Sequence, residues 1–267
     1  MNKQGKNGIE WCDYTWNPVT GCLHGCGYCY AEKIAKRFDG GGYGKEMGMF
    51  IAKYKEDAFK PPYVLDTPQY VKTKDDWYRV APYPFGFAPT FHKYRLAEPM
   101  QVKKPSKIFV VSMGDLFGDW VPDEWKYKVL EACQNVVQHT YLFLTKNPLG
   151  LNSPYHLYFY RNENFWIGTS ITKISELRRA QHLIDETAEH TNRFLSLEPL
   201  LGDLGYMPEL RGYKWVIIGQ QTNPDRPPKD DWVQSIIDQC KAAEVPVFVK
   251  SPLYEKFPIQ EWPEGLK

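Results

Sequence analysis

Three cysteines lie close together near the start of the 267-residue chain, in the segment Cys22-Leu23-His24-Gly25-Cys26-Gly27-Tyr28-Cys29. Cysteine thiolates are soft ligands suited to iron–sulfur clusters and to zinc. A 4Fe–4S cluster is normally saturated by four cysteines, so three leave one iron without a protein ligand. Chemistry can take place at such an open position. The spacing therefore predicts a metal centre with Cys22, Cys26 and Cys29 as ligands, and we favour a cluster.

Zinc is the alternative metal for this loop, with His24 or Cys12 as a fourth ligand in a tetrahedral site. Structural zinc usually draws on two separated ligand pairs, and the sequence has no second pair. His24 lies inside a very tight loop, which makes it a poor ligand. Cys12 beside Trp11 is typical of a packed thiol, and Cys133 and Cys240 lie in helical patterns typical of small buried hydrophobes.

The composition and the N-terminal segment narrow the class of protein. A hydrophobic fraction of 43% is ample for a core in a chain of this length. The net charge of +1 by itself indicates neither a nucleic-acid nor a membrane partner. Residues Met1–Glu10 are polar, unlike a signal peptide, and no apolar run approaches the length of a membrane span. We expect a cytoplasmic protein whose reduced cysteines are available to metal.

Short apolar runs alternate with helical patterns, which is typical of repeated βα units. The predicted strands are Tyr14–Thr20, Ala88–Phe91, Ile108–Val111, Tyr141–Leu144, Phe165–Gly168, Arg193–Leu197, Trp215–Ile218 and Val245–Val249. We therefore predict an α/β fold, a (β/α) barrel of the TIM type that is either full, with about eight strands, or partial, with about six. A single domain over residues 1–267 is expected.

The predicted helices are Tyr30–Phe38, Asp123–Gln138, Ile174–Glu189 and Asp231–Glu244. The stretch 39–87 carries several glycines and prolines, and we interpret it as an irregular insertion or lid within the barrel. The run Gly40–Gly44 does not follow a strand, so it is interpreted as a flexible loop rather than a nucleotide-binding motif.

Polar residues follow most of the later strands. They are Ser112, Asp115, Thr145, Lys146, Thr169, Ser170, Glu198, Gln220, Gln221, Lys250 and Ser251. The carboxyl ends of parallel barrel strands meet at one mouth, where active sites are built, and the cysteine loop after the first strand is expected there too. Glu198 follows a strongly apolar strand, where a carboxylate is costly unless it is paired or solvated. It either binds cofactor or substrate or is a buried partner of an arginine or backbone N–H. Glu198, Lys250 and Gln220 are the candidate catalytic residues.

The cysteine spacing and the aromatic Tyr28 closely resemble the motif of the radical S-adenosylmethionine (radical SAM) superfamily. Within it, the chain is most similar to a phage-associated group with a three-cysteine motif. That similarity rests on Gly8–Trp11, Thr15–Cys22, Ser112–Phe117, Leu195–Gly202 and Val216–Gly219.

The resemblance implies that Cys22, Cys26 and Cys29 hold three irons of a 4Fe–4S cluster and that the fourth iron binds S-adenosylmethionine. One electron, from a donor of the flavodoxin or ferredoxin type, then cleaves this cofactor to a 5′-deoxyadenosyl radical. The radical removes a hydrogen atom from the substrate, while the protein orients the reactants. Tyr28 matches the position whose ring contacts the adenine.

The sequence departs from the superfamily pattern after the second strand. Many members have a Gly-Gly-Glu-like segment there that binds the methionine amino group, whereas this chain has Phe91-His92-Lys93-Tyr94. We expect Ser112 and Asp115 to replace it. By position alone, the further contacts expected to S-adenosylmethionine are those of Thr145, Lys146 and Ser170, and Glu198 is also a candidate.

The stretch Lys72–Lys107 is locally basic and rich in aromatic rings. Basic residues among aromatics suit nucleic acid, although we favour the simpler interpretation of an insertion that packs its rings and solvates its lysines. By analogy with phage enzymes that modify bases, the expected substrate class is a nucleobase or nucleotide in nucleic acid. The alternatives are a zinc-stabilised nucleic-acid-binding protein and an iron–sulfur protein without radical chemistry.

Overall fold

The chain folds into a mixed α/β structure. A computed structural model describes residues 1–5, 8–38, 62–72, 77–152 and 154–266. The α-helices in these ranges are α1 (Tyr30–Phe38), α2 (Asp123–Gln134), α3 (His156–Arg161), α4 (Arg178–Asp185) and α5 (Asp230–Ala242). Short 3-10 helices cover Lys93–Arg95, Glu98–Gln101, Pro148–Leu151, Ile174–Glu176, Pro208–Gly212 and Leu253–Glu255.

The strands are mostly short. They are β1 (Asn2–Lys3), β2 (Tyr14–Trp16), β3 (Val19–Thr20), β4 (Tyr63–Leu65), β5 (Tyr70–Lys72), β6 (Tyr78–Val80), β7 (Thr90–His92), β8 (Lys107–Val110), β9 (Thr140–Thr145), β10 (Phe165–Ser170), β11 (Asn192–Leu197), β12 (Trp215–Ile218), β13 (Gln221–Thr222), β14 (Asp225–Arg226) and β15 (Val247–Val249). Within the described ranges, no helix combines the length and the apolar character needed to cross a membrane.

The chain divides into two compact units. The first unit comprises Met1–Asn2, Thr15–Lys103 and Val111–Val136, and the second comprises Lys3–Tyr14, Lys104–Val110 and Val137–Lys267. The expected single domain over residues 1–267 stays a prediction.

A parallel sheet forms the centre of the second unit. Strands β8, β9, β10, β11, β12 and β15 lie side by side in that order, and each pairs with the next in parallel. This order follows the chain, as successive βα units require. The sheet confirms the predicted α/β class and is compatible with a partial barrel. Among the described strands of this unit, β8 and β15 are not paired with each other, so a closed eight-stranded barrel is not observed.

The apolar runs form these strands because both faces of the sheet are covered. Every residue of β10 and of β12 is buried, as is typical of parallel strands flanked by helices. Helix α5 contributes Val233, Ile236, Ile237 and Cys240 to the buried side, at the spacing of one helical face.

An aromatic core fills one part of the second unit. Its buried members are Trp11, Cys12, Phe109, Leu142, Trp166, Phe194, Trp215, Ile217, Phe248 and Leu266. Burial raises the pKa of the Cys12 thiol to about 12, since the thiolate loses its hydration. The interpretation of Cys12 as a packed thiol is confirmed, and Cys133 and Cys240 are likewise fully buried.

The first unit contains two small sheets. In one of them, β7 pairs with β3 in antiparallel and with β4 in parallel orientation. In the other, β5 and β6 form an antiparallel pair. The prediction that Ala88–Phe91 supplies a barrel strand is wrong, because the observed strand β7 belongs to this small sheet. Its Phe91 ring stacks on Trp125 of α2 with centroids 5.2 Å apart, so the apolar run serves the core of the first unit.

Other element predictions differ from the structure at their boundaries. The predicted strand Tyr14–Thr20 is divided into β2 and β3 around Pro18, which has no N–H to donate to a ladder. Helix α1 has the predicted bounds, α2 ends before its predicted end, and the predicted helix Ile174–Glu189 is a 3-10 turn followed by α4. Of the predicted insertion 39–87, residues 39–61 and 73–76, including the Gly40–Gly44 run, lie outside the described residues. The remainder contains β4, β5 and β6.

Candidate functional site

The cysteine loop begins at a close backbone approach within the first unit. Gly21 has a φ of +88°, and a Cβ atom there would overlap the Ala88 carbonyl group, so the position requires glycine. The Gly21 N–H donates to the Met113 carbonyl at 2.8 Å, and the Cys22 N–H donates to the Phe87 carbonyl at 3.3 Å. The start of the loop is therefore fixed against two other segments.

The loop ends at the first turn of α1. The Cys29 N–H donates to the Cys26 carbonyl at 3.0 Å, and the Cys29 Sγ accepts the N–H of Glu32 at 3.4 Å. Between these ends the backbone is open. A Cβ atom on Gly25 or on Gly27 would meet no other heavy atom within 4 Å, which leaves space for a bulky group beside the loop.

The three loop cysteines fit an iron–sulfur cluster in kind and in number. Cys22, Cys26 and Cys29 are partly exposed. Their sulfurs are not gathered into a finished site, because no three His, Cys, Asp or Glu side chains in the described ranges are placed to hold a metal ion. A preformed metal site rarely exists in an unfolded chain, so metal binding can be coupled to the ordering of its ligands.

His24, in the middle of the loop, is tied to Asp115. Its Nε2 lies 2.8 Å from Asp115 Oδ2, and Asp115 Oδ1 accepts the N–H of Phe117 at 3.1 Å. The Asp115 side chain is only 4% exposed. The ring of Trp120 contacts the His24 ring edge to face, with centroids 4.8 Å apart. The Nε2 of His24 is therefore engaged by Asp115, whereas a histidine can bind a metal through either ring nitrogen.

Ser112, the other residue expected at the methionine end of the cofactor, is also bonded within the first unit. Its hydroxyl donates to Asn17 Oδ1 at 3.2 Å, and its carbonyl accepts the Tyr30 hydroxyl at 2.7 Å. The same Asn17 oxygen accepts the N–H of Met113 at 2.8 Å. The Tyr28 side chain is half-buried. The predicted cofactor contacts of Tyr28, Ser112 and Asp115 stay predictions.

The segment that departs from the superfamily pattern has a structural role. His92 is fully buried, its Nε2 lies 2.9 Å from Thr20 Oγ1, and its Nδ1 lies 3.2 Å from the Tyr94 hydroxyl. Burial, reinforced by the positive charge of Arg95, holds the pKa of His92 well below its usual value. A neutral His92 therefore supports the strand end that precedes the cysteine loop.

Polar side chains follow the carboxyl ends of the parallel strands in the second unit, as predicted. Thr145 and Ser170 are buried, and Lys146 is half-buried. The Thr145 hydroxyl accepts the N–H of Asn147 at 2.9 Å, and the Thr169 hydroxyl donates to the Thr145 carbonyl at 3.0 Å. These bonds fix the strand ends, and the cofactor contacts expected of Thr145, Lys146 and Ser170 stay predictions.

The three candidate catalytic residues also lie in the second unit. Lys250 Nζ donates to Glu198 Oε1 in a short ion pair, so the carboxylate is paired with a lysine rather than with an arginine. A Cβ atom on Gly219 would lie 3.0 Å from the Glu198 side chain. The absence of a side chain on Gly219 therefore leaves room for Glu198. Gln220 Nε2 donates to Asp225 Oδ1 at 2.6 Å. A catalytic role of Glu198, Lys250 or Gln220 stays a prediction.

Sequence reasoning missed the contacts of Arg193. A cavity of about 480 Å³ is lined by residues that include Arg193, Arg211 and Lys214. The Arg193 guanidinium donates to the carbonyl groups of Thr187 and Ala188 at 3.0 and 2.6 Å. Arg193 therefore ties loops together at the amino end of the sheet, away from the strand ends discussed above.

Exposed aromatic rings mark the β5–β6 pair in the first unit. Tyr70, Trp77 and Tyr78 are 50%, 75% and 70% exposed. Tyr78 pairs directly with Lys72 across the two strands, and opposed residues share a face of a sheet. The expectation that the stretch Lys72–Lys107 packs its rings holds for Phe85, which stacks on Tyr63 with centroids 4.0 Å apart.

The fold defines an α/β protein with a large parallel sheet, and the first unit adds a glycine-rich loop with three partly exposed cysteines. Residues 6–252 match the family described as "Protein of unknown function (DUF5131)", and the chain belongs to this family. No curated protein matches the chain.

Among solved structures, the chain is similar to spore photoproduct lyase. A variant of that enzyme with a dinucleoside spore photoproduct gives a TM-score of 0.44 at 10% sequence identity, covering 92% of this chain and 75% of the other. A second complex with the same ligand gives a TM-score of 0.41 at the same identity and the same coverage. Scores below 0.5 support no inference about function.

Proposed function

We propose that this protein is a radical SAM enzyme whose 4Fe–4S cluster is bound by Cys22, Cys26 and Cys29. The C-x3-C-x2-C motif with Tyr28, carried on an open loop between β3 and α1, is the observation that supports this proposal. Metal ligation requires thiolates. The loop thiols are partly exposed, whereas the other three cysteines are buried.

The proposed roles of the loop follow from its contacts. When bound, the cluster and S-adenosylmethionine supply a 5′-deoxyadenosyl radical for hydrogen abstraction. Gly21 fixes the start of the loop, and the space beside Gly25 and Gly27 accommodates the bulk of the cluster. We assign to Tyr28 the contact with the adenine. Ser112 and Asp115 would contact the methionine end in exchange for their bonds to Asn17 and His24.

For the second unit we propose a partial barrel of the TIM type. Thr145, Lys146 and Ser170 are assigned to the ribose or carboxylate of S-adenosylmethionine. The paired Glu198 and Lys250 are candidates to bind substrate, because an ion pair that is still partly exposed can exchange a partner for a polar ligand. Gln220 is a weaker candidate of the same kind. A flavodoxin or ferredoxin would supply the electron.

The alternatives are less well supported. A zinc site would need a fourth ligand. Cys12 is buried in the aromatic core of the second unit, and His24 lies within the tight loop itself. An iron–sulfur protein without radical chemistry differs from our proposal only in its reaction with S-adenosylmethionine.

Anaerobic reconstitution tests the proposal. We expect about four irons per chain and formation of 5′-deoxyadenosine when the reduced protein is mixed with S-adenosylmethionine. Cys22→Ala, Cys26→Ala and Cys29→Ala should each abolish product formation, while Cys12→Ala serves as the control. Bound zinc without iron would establish the zinc alternative. Bound iron without formation of 5′-deoxyadenosine would establish an iron–sulfur protein without radical chemistry.

For the substrate we propose a nucleobase or nucleotide in nucleic acid. The β5–β6 pair supports this, because exposed rings suit base stacking and Lys72 and Arg79 suit phosphate. Fluorescence anisotropy with a single-stranded oligonucleotide tests it. Trp77→Ala and Tyr78→Ala should each weaken binding by about 5- to 100-fold. Tyr206→Ala is the matched control, since Tyr206 is equally exposed but lies in the second unit. Equal affinities for all variants would exclude this surface.

A further inference from the structure

The segment Gly8–Trp11 contains a carboxylate that the proposed function does not use. The two oxygens of Glu10 accept the N–H of Ser251 at 3.1 and 3.2 Å. Both residues belong to the second unit, although they are 241 positions apart in the sequence. Hydrogen bonds to an ionised carboxylate are stronger than those between neutral groups. The contact therefore holds the chain directly after Lys250.

Gln260 links the same carboxylate to the strand that precedes Lys250. Its Nε2 donates to Glu10 Oε2 and to the Val249 carbonyl, both at 3.2 Å. Val249 is the last residue of β15. Glu10 thus holds the N–H of the residue after Lys250 directly, and through Gln260 it holds the carbonyl of the residue before it.

The backbone of Lys250 is bonded on both sides as well. Its N–H donates to the Ile218 carbonyl at 2.9 Å, and its carbonyl accepts the N–H of Tyr254 at 3.0 Å. Because the adjoining N–H is held by Glu10, the direction in which the lysine side chain leaves the backbone is fixed. That side chain forms the ion pair with Glu198.

Glu10 is itself carried on an anchored piece of backbone. The next residue, Trp11, is 2% exposed, and its ring lies 4.6 Å from that of Phe109 in the aromatic core. The N–H of the preceding residue, Ile9, donates to Gln4 Oε1 at 2.9 Å. Functional side chains are held in place by supporting residues whose own positions are fixed in this way.

We propose that Glu10 is a positioning residue that orients Lys250, and with it the paired Glu198 carboxylate, for binding substrate. This inference rests on the proposed function, in which these two side chains bind substrate. Glu10 does not touch the substrate, and its effect passes through the Ser251 N–H. A misplacement of about 1 Å at a functional group is enough to weaken its action strongly.

Replacing Glu10 tests this role. Glu10→Ala removes both acceptor oxygens, whereas Glu10→Gln keeps one. The readout is the formation of 5′-deoxyadenosine by the reduced, reconstituted protein at increasing concentrations of a single-stranded oligonucleotide. We expect the half-saturating concentration to rise by about 10-fold or more in Lys250→Met, by about 3- to 10-fold in Glu10→Ala and by less in Glu10→Gln. The iron content should stay at the wild-type value.

Glu261→Ala is the matched control. Glu261 Oε2 accepts the N–H of Val247 at 2.9 Å, so a second carboxylate also holds β15, but three residues before Lys250. If Glu10 only stabilised the strand, the two alanine variants would have the same effect. We expect Glu261→Ala to keep the wild-type half-saturating concentration.

A double-mutant cycle on the metal-free protein tests the link to Lys250 without any substrate. Glu10→Ala should raise the equilibrium constant for unfolding less in the Lys250→Met background than in the wild type, by a factor of about 2 or more. Glu261→Ala should act equally in both backgrounds, since it contacts β15 about 10 Å away. Urea denaturation measures all four variants, and Glu10→Gln takes the place of Glu10→Ala if the latter does not fold. Equal effects of the Glu10 replacement in both backgrounds would overturn the inference.

The outcomes separate the inference from the proposed function. If the wild type forms no 5′-deoxyadenosine, the proposed function fails and the inference fails with it. If Lys250→Met keeps the wild-type half-saturating concentration, the substrate-binding role of Lys250 is wrong, and so is the inference. If Lys250→Met has the expected effect but Glu10→Ala acts no more strongly than Glu261→Ala, the inference alone is overturned.

Discussion

The cysteine loop of the first unit and the aromatic core of the second unit both contain cysteine, but in opposite surroundings. In the core, Cys12 and Trp11 are buried together, and burial raises the pKa of the thiol to about 12. In the loop, Cys22, Cys26 and Cys29 are partly exposed beside glycines. Burial makes a thiol inert, whereas exposure leaves it available to metal. The surroundings of a cysteine, rather than its presence, thus distinguish a candidate ligand from a packing residue.

The largest expected effect comes from replacing a cysteine of the loop, with the buried Cys240 of α5 as the comparison. Cys29→Ala should abolish cluster binding, because two remaining loop thiolates cannot hold three irons. Cys240→Ala should leave the iron content unchanged and lower the free energy of unfolding by about 1–2 kcal/mol through the small cavity that it creates. Iron analysis and urea denaturation measure the two quantities. If Cys29→Ala retained all of its iron, the distinction between ligand cysteines in the loop and packing cysteines in the interior would be wrong.

The next prediction compares one buried tryptophan with one exposed tryptophan. Trp215 is fully buried in the aromatic core, whereas Trp77 is 75% exposed. Trp215→Ala should cost about 3–5 kcal/mol of stability, and Trp77→Ala should change stability by less than about 0.5 kcal/mol. Urea denaturation of the metal-free variants measures both. A large loss of stability in Trp77→Ala would mean that this ring packs in the folded protein.

Two glycines of the loop provide a sharper comparison. Gly21 and Gly25 both have positive φ, but only at Gly21 would a Cβ atom overlap backbone atoms, those of Ala88 and Pro89. Gly25→Ala should cost about 1 kcal/mol, from conformational strain alone. Gly21→Ala should cost about 2–4 kcal/mol, because the strain adds to a displacement of the backbone. Thermal denaturation of the two variants tests this order, and equal losses would contradict the observed close approach.

The smallest effect concerns pH and His92. The pKa of His92 is lowered in the folded protein, so the unfolded chain binds a proton more readily. Stability is therefore complete above the unfolded pKa of about 6.5 and falls as the pH drops below it, by at most about 1.4 kcal/mol per pH unit. His92→Gln should flatten this dependence. Denaturation between pH 4.5 and 7.5 (about the range over which a histidine titrates) measures it, and an unchanged slope would contradict the assignment.

Strands of the parallel sheet could be predicted because their apolar runs satisfy burial on both faces. Runs such as Trp215–Ile218 leave little choice of structure. The partner strands of β7 could not be predicted, because a short apolar run indicates burial but does not indicate which strands it pairs with. Pro18 marked the break between β2 and β3, and the prediction passed over it.

The candidate site was predictable only where it is local in sequence. The cysteine spacing lies within one loop, and its neighbours β3 and α1 follow from nearby residues. The pairs that give the site its detail are distant in sequence: His24 and Asp115 are 91 positions apart, and Glu198 and Lys250 are 52 apart. No periodicity links such residues. They are brought together by long-range packing, which a short sequence pattern does not predict.

The anchoring of both ends of the cysteine loop has a thermodynamic consequence. The backbone bonds of Gly21 and Cys22 and the helical start at Cys29 already restrict the chain before anything binds. Ordering a free segment of chain costs conformational entropy for every residue that is immobilised. A loop tethered in this way has already lost part of that freedom during folding, so less of the coordination energy of the proposed cluster would be consumed in gathering its ligands.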